Sequence, residues 1–307
     1  MYQRENVTWT IFINNIQTHL ITYGNPADCG GKDVIICVTG NPGIPDFYIE
    51  FADELHRKSN LPVCVIGQAG HEEVPDDKSN VLDGQQHLFN LEGQLEHKRD
   101  LINNYIDKSS KLHLIGHSIG AWLILELLDR YDIADRVLSI NLLFPTIQKM
   151  ADTRNGKYLN NIVRKIHTLA MAFFTLVLLL PQPVLNIFIS IYLKLSSLPN
   201  HYIGRIEKYL NPKVIEKVLF LAYDEMDKVT ILNSRVIDKV KHLTNIIYSV
   251  SDNWVPLELM HDLNKFKPEI TLKEVSVNHT FVLKSSERVA EMVIDFIQTK
   301  LKFNIKY

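Results

Sequence analysis

The chain has 307 residues and a formal net charge of -2, and no Lys/Arg block stands on an otherwise polar stretch, which makes nucleic acid a poor partner. Its three cysteines, Cys29, Cys37 and Cys64, form an odd set without metal-ligand spacing, and two of them lie in apolar runs; reduced core thiols are expected, with no metal. The opening residues, Met1 to Thr10, lack a charged-then-apolar signal pattern, which together with free thiols predicts a cytosol-facing protein.

In chain order, 7–12 and 17–23 are short β-branched and aromatic runs around Asn14-Asn15, suited to an antiparallel edge pair. Near-continuous apolar runs follow at 34–39, 62–67, 111–116 and 136–144, as strands buried on both faces require, with helical patterns at 46–58, 91–108 and 119–130 between them. That alternation predicts an α/β fold: a mostly parallel sheet with right-handed crossovers and helices on both faces. The rhythm stops after 144. It resumes with a strand at 244–250, a helix at 255–266, a strand at 269–277 and a helix at 286–301, so 1–144 and 241–307 form the core and 145–240 an inserted cap. The chain shows no internal repeat and no low-complexity tract.

The insertion carries two apolar runs, 169–180 and 184–195, separated by Pro181-Gln182-Pro183. Each run, about 12 residues, reaches only ~18 Å as a helix against a ~30 Å hydrocarbon core, and the prolines break any single span. A hairpin over 169–195 dipping into one leaflet, or into a phospholipid monolayer, fits better. Arg154, Lys157, Arg164 and Lys165 precede it and Lys194, Arg205 and Lys208 follow, placing cations near anionic headgroups. A buried helix pair closing over the site is the alternative.

The run 112–122 turns sharply at Gly116-His117-Ser118-Ile119-Gly120, the pattern of a nucleophile elbow, with Ser118 as nucleophile; the alternative is a serine that merely caps the helix. Serine is a weak nucleophile and needs a base and an orienting acid. His279 follows the second resumed strand, at the sheet edge where open α/β sheets place their chemistry, and Asp252 follows the first. The order Ser118, Asp252, His279 is that of an α/β-hydrolase. Asp252 could instead cap the next helix, leaving Asp224 or Asp227 as acid. His113 and His117 read as satisfied or surface groups. The oxyanion donors are expected to be the amide of Ile119 and, from the glycine-proline turn after 34–39, that of Asn41, with Gly40 the next choice and a plain tight turn the alternative.

Gly40-Asn41-Pro42-Gly43 with the following Phe47-Tyr48, the elbow 116–120, Ser251-Asp252 and Asn278-His279 together resemble the lipid droplet-associated hydrolase family of α/β-hydrolases, over nearly the whole chain. The resemblance implies a serine hydrolase of lipid esters at the surface of lipid droplets and the endoplasmic reticulum, with sterol ester hydrolysis the activity most readily implied. No metal or organic cofactor is needed for that chemistry. Two other functions fit the same residues: a droplet structural or tethering protein with little turnover, and a soluble hydrolase of small esters, thioesters or amides whose insert is only a lid.

Overall fold

The computed structural model describes residues 7–74 and 80–304, so part of the N-terminal stretch read above, residues 1–6, lies outside the described residues. The chain opens with β1 (Val7–Ile13) and β2 (Ile16–Tyr23), paired antiparallel with Ile13 opposite Ile16. Asn14 and Asn15 between them both have positive φ, the backbone of a tight hairpin turn that asparagine tolerates better than most side chains. Then come β3 (Val34–Val38), α1 (Ile49–Ser59), β4 (Val63–Ile66), α2 (Gln86–Phe89), α3 (Leu91–Asn104), β5 (Leu112–His117), α4 (Ile119–Arg130) and β6 (Val137–Leu143). The eight strands are ordered β1-β2-β4-β3-β5-β6, followed by the two later strands β7 (Thr244–Tyr248) and β8 (Thr271–Glu274); β2 is antiparallel to both its neighbours, β1 and β4, and the remaining pairs are parallel.

Alternate residues of the central strands face two different helix layers. Ile36, Val38 and Leu114 pack with Leu95, Ile124 and Leu128 of α3 and α4. Ile35, Cys37 and Ile115 pack on the other face with Phe51 and Leu55 of α1 and with Val289, Val293 and Ile297 of α12 (Ser286–Asn304). Burial on both faces explains why β3, β4 and β5 read as continuous apolar runs. Cys37 and Cys64 lie inside them as free thiols; burial pushes both up, that of Cys64 to about 12.

Between β6 and β7 run α5 (Arg154–Tyr158), a π-helical turn at Leu159–Val163, α6 (His167–Leu178), α7 (Gln182–Leu195), α8 (Ile203–Leu210), α9 (Pro212–Lys228) and α10 (Ser234–Val240). This segment does not leave the core as a unit. Leu221 and Met226 of α9 and Val236, Ile237 and Val240 of α10 share the main core with α4, α10 being the crossover that returns the chain to β7. The part that stands furthest out is the α6–α7 pair, α6 packing on α9 and α7 on α8. Its break falls at Pro181, and Pro183 sits in the first turn of α7, where its missing N–H costs nothing.

No residue of α6 is buried, and Leu169 and Leu179 are 71% and 75% exposed. α7 buries one stripe, Leu185, Ile189 and Leu193, against Tyr202, and turns Ile187, Phe188, Ile191 and Leu195 outward. Among the described residues no single helix is long and apolar enough to cross a membrane, and the Arg154–Val163 segment bends by 86° before α6. The flanking cations divide. Arg164 is held by Asp227 through two bonds of 2.8 Å, Arg205 by Glu50 at 2.7 Å and Lys208 by Asp46, whereas Arg154, Lys157, Lys165 and Lys194 make no ion pair among the described residues.

The C-terminal third departs from its periodicity. The helix expected over 255–266 is α11 (Leu257–His261) followed by a 3-10 turn at Asn264–Phe266, and the strand expected over 269–277 ends at Glu274. Among the described residues β8 pairs with β7 alone, from Thr271 to Glu274; the Val275 amide still donates to the Tyr248 carbonyl at 2.9 Å, after which the backbone leaves the ladder as a loop, with Val275 and Val277 in the core.

Candidate active site

Ser118 stands between β5 and α4 with φ 54° and ψ −121°, a strained conformation for a residue with a side chain. What holds it there is close packing on both sides. A Cβ at Gly120 would lie 2.4 Å from the carbonyl oxygen of Val38, and one at Gly116 would lie 2.6 Å from that of Gly120, so neither position admits a side chain. The Ser118 amide donates to the Leu143 carbonyl at 3.0 Å, tying the turn to β6. Its hydroxyl caps nothing: α4 has no side-chain cap, and Ser118 Oγ lies 3.0 Å from His279 Nε2.

His279 is on the loop that follows β8, and its Nδ1 lies 2.7 Å from Asp252 Oδ2. A carboxylate only accepts, so Nδ1 carries the proton and Nε2 is left to accept from the serine. Asp252 has a fully buried side chain on the loop after β7. Its second oxygen, Oδ1, accepts from the amides of Trp254 (2.8 Å) and Val255 (3.2 Å), which fixes the carboxylate in place. It caps no helix, since α11 begins at Leu257 after an uncapped Pro256. Asp224 and Asp227 are engaged elsewhere, the first with the Leu91 amide and Lys228, the second with Arg164.

The turn after β3 brings Gly40 against the serine: a Cβ there would meet Ser118 Cβ at 3.1 Å. The Gly40 amide is already used, donating to the Tyr48 hydroxyl at 2.9 Å, which removes it as an oxyanion donor. The amides of Asn41 and of Ile119, the first residue of α4, have no protein acceptor among the described residues. The Asn41 side chain is held by α9, donating to Glu225 Oε1 at 2.9 Å and to the Val218 carbonyl at 3.1 Å.

Two residues near the serine carry more structure than their sequence positions suggest. His117 Nε2 donates to the His279 carbonyl at 2.9 Å, so its Nδ1 accepts from the Tyr48 hydroxyl at 2.6 Å. Burial first and the neighbouring His279 second hold the His117 imidazole well below its ordinary range, and burial pushes the Tyr48 phenol up, so both remain neutral. A chain of hydrogen bonds thus runs from Gly40 through Tyr48 and His117 to the backbone of His279. Nothing in the motif marks His117 for this, because its partner lies in the 3-10 turn Pro45–Tyr48. His113 is a buried strand residue, as expected, but only half satisfied: Nδ1 bonds Ser139 Oγ at 2.8 Å, while Nε2 has no hydrogen-bond partner among the described residues and lies 3.6 Å from Asp33 Oδ2.

Ser118, His279 and Asn41 form the polar end of a cavity of about 380 Å³ whose remaining wall is mostly apolar, including Phe47, Met150, Leu159, Val218, Trp254 and Leu283. Glu225 also reaches it, and burial pushes its carboxyl up to about 8. Among the described residues one carboxylate grouping has metal-like spacing, Glu54 with Glu287 and Glu291; it lies on α1 and α12 outside this cavity and is ion-paired to Arg57 and Lys58.

A model of the lipid-droplet associated hydrolase family matches residues 31–282. A protein of Drosophila melanogaster named lipid droplet-associated hydrolase is 38% identical over 295 residues, 93% of this chain and 96% of its own length. The Homo sapiens protein of the same name is 29% identical over 282 residues, 88% of this chain and 86% of its own. Among solved structures, a meta-cleavage product hydrolase from Pseudomonas fluorescens superposes with a TM-score of 0.65 at 15% identity, covering 95% of this chain and 97% of its own, a likeness of fold alone. With its eight-stranded sheet, its serine elbow and this match over most of its length, the chain belongs to the lipid-droplet associated hydrolase family and has the α/β-hydrolase fold.

Proposed function

We propose that the protein is a serine hydrolase of lipid esters that works at the surface of lipid droplets. The observation that carries this reading is the unbroken chain Ser118–His279–Asp252, at 3.0 and 2.7 Å, opening on an apolar cavity. Ser118 Oγ attacks the ester carbonyl while its proton passes to His279 Nε2; Asp252 holds the imidazole in the required tautomer and stabilises the imidazolium. The amides of Ile119 and Asn41 donate to the oxyanion. The proton on Nε2 then goes to the leaving alcohol, giving an acyl-enzyme. Water, deprotonated by the same nitrogen, attacks the acyl carbon and the serine leaves with its proton restored.

The lipid part of the reading is supported by continuity between hairpin and cavity. Phe47 and Leu283 pack against the small cluster of Leu185, Ile189, Leu193 and Tyr202 that underlies α7, and the same two residues line the cavity. An acyl chain can therefore pass from an apolar phase touching the hairpin to Ser118 along apolar side chains. The outward Leu, Ile and Phe residues of α6 and α7 would enter a monolayer, each contributing roughly 1.5 to 3 kcal/mol if fully buried, before ordering costs. Such a large exposed apolar face favours a membrane-docked enzyme over a soluble small-ester hydrolase. Sterol esters are the proposed substrates to try first, and the endoplasmic reticulum is the second proposed location.

An alkyl fluorophosphonate reacts with an activated serine and leaves a stable phosphonyl adduct. Peptide mapping should place that adduct on Ser118 at close to one per chain, with Ser118→Ala unlabelled, and the labelled serine should release fatty acid from emulsified sterol ester or acylglycerol before modification. A wild-type protein that stays unlabelled, or an adduct on another serine, refutes the reading.

A further inference from the structure

The Asn41 carboxamide donates twice, to Glu225 Oε1 at 2.9 Å and to the Val218 carbonyl at 3.1 Å. Both acceptors lie on α9, seven residues and about two turns apart, so one face of an insertion helix fixes the orientation of this side chain. On the opposite side of the same turn, the Gly40 amide is fixed by Tyr48, which is tied through His117 to the His279 backbone. The Asn41 amide, the proposed second oxyanion donor, thus sits in a loop gripped from the core on one side and from the insertion on the other.

We propose that Glu225, resting on the function proposed above, is a positioning residue for the hydrolysis, its carboxyl clamping Asn41 so that the Asn41 amide points at the developing oxyanion. α9 is then part of the catalytic apparatus, not a removable lid. Three features distinguish this from a residue kept for packing. Glu225 is a buried acid with no cation among its hydrogen-bond partners in the described residues, an expensive choice where leucine or methionine would fill the space. Its carboxyl, held largely protonated by burial, accepts from Asn41 without placing a full charge in the cavity that Ser118 also lines. The bond it makes is to the loop that lines the reacting centre, and Glu225 itself lines that cavity.

The physical requirement is placement to a fraction of an ångström, because a donor displaced by about 1 Å costs on the order of a hundredfold in rate. Glu225→Gln keeps the acceptor oxygen and adds no charge; Glu225→Leu removes it and leaves the Asn41 N–H groups with one acceptor fewer.

The test is the second-order rate of fluorophosphonate labelling at Ser118, measured with kcat and KM on a soluble ester for the full-length wild type, Glu225→Gln, Glu225→Leu, Asn41→Ala and the Asn41→Ala/Glu225→Leu pair. Labelling and kcat should fall on the order of a hundredfold in Glu225→Leu, with KM within a few-fold, and stay within a few-fold of wild type in Glu225→Gln. Asn41→Ala should match Glu225→Leu, and the pair should be no slower than either single variant. Wild-type labelling rates in Glu225→Leu, or losses that multiply in the pair, overturn the inference while leaving Ser118 as nucleophile. Should Glu225→Leu not fold, Asn41→Ala labelling at the wild-type rate overturns it equally. An unlabelled wild type refutes the hydrolase reading itself, and this inference falls with it.

Discussion

Ser118→Ala and His279→Ala should each lower kcat on an ester substrate by roughly a millionfold, and combining them should cost little more than either alone. The magnitude follows from how such groups act: nucleophile and base are one unit, so removing either removes the covalent route, and what remains is stabilisation by the oxyanion donors and binding. Asp252→Asn should cost roughly ten-thousandfold. The amide can still take part in the hydrogen bond at 2.7 Å, but by donating its N–H to Nδ1 it reverses the imidazole tautomer and leaves Nε2 unable to accept from Ser118. Steady-state hydrolysis of a water-soluble p-nitrophenyl ester, with thermal unfolding recorded on the same samples, reads both effects. Losses that multiply for Ser118→Ala and His279→Ala, or an Asp252→Asn variant turning over at the wild-type rate, would exclude the proposed relay.

Charges placed on the outward face of the hairpin should remove the protein from droplets without harming that chemistry. Leu176 and Leu179 are the positions to use, because both are exposed, whereas Leu178 packs inward with the Leu185–Ile189 stripe and its substitution would also disturb the fold. An arginine at the centre of an inserted helix costs about 2.5 to 3.5 kcal/mol on insertion scales. Each of Leu176→Arg and Leu179→Arg should therefore weaken partitioning onto droplets by up to about a hundredfold, and the pair by more. Deleting 169–195 should release the protein outright. Flotation in a density gradient measures the partitioning, and hydrolysis of the soluble ester should stay near wild type in the two point variants. Variants that float as the wild type does would return α6 and α7 to the role of a lid.

Much of the fold and of the candidate site was legible because the relevant forces are local. Gly116 and Gly120 are demanded by the carbonyl oxygens packed against them, and that steric demand is what a Gly-x-Ser-x-Gly pattern records. The strands of the central sheet are buried on both faces and so read as continuous apolar runs. Asp252 and His279 were accessible because each follows a strand, where side chains converge at the sheet edge. Glu225 was not. It sits in a helix with Asp224, Asp227 and Lys228 as neighbours, the composition of a solvated face, and its burial arises from a loop nearly two hundred residues earlier in the chain. His117 has a bland sequence context for the same reason, its partners Tyr48 and the His279 carbonyl being remote in sequence. The breaks in 255–266 and 269–277 come from tertiary limits, a lone pairing partner for β8 and a turn after α11, which periodicity does not contain.

The unequal anchoring of the insertion has a dynamic consequence. α9 and α10 place Leu221, Met226, Val236 and Ile237 in the main core, whereas α6 buries no residue and α7 rests on one narrow stripe. Local opening free energies follow buried apolar contact, so amide protons of α6 should exchange with solvent in a low-energy opening long before those of α9 yield. Mass spectrometry of deuterium uptake should show two tiers within one inserted segment. Adding droplets or phospholipid vesicles should slow uptake in α6 and the outer half of α7 and leave α9, already protected by the core, almost unchanged.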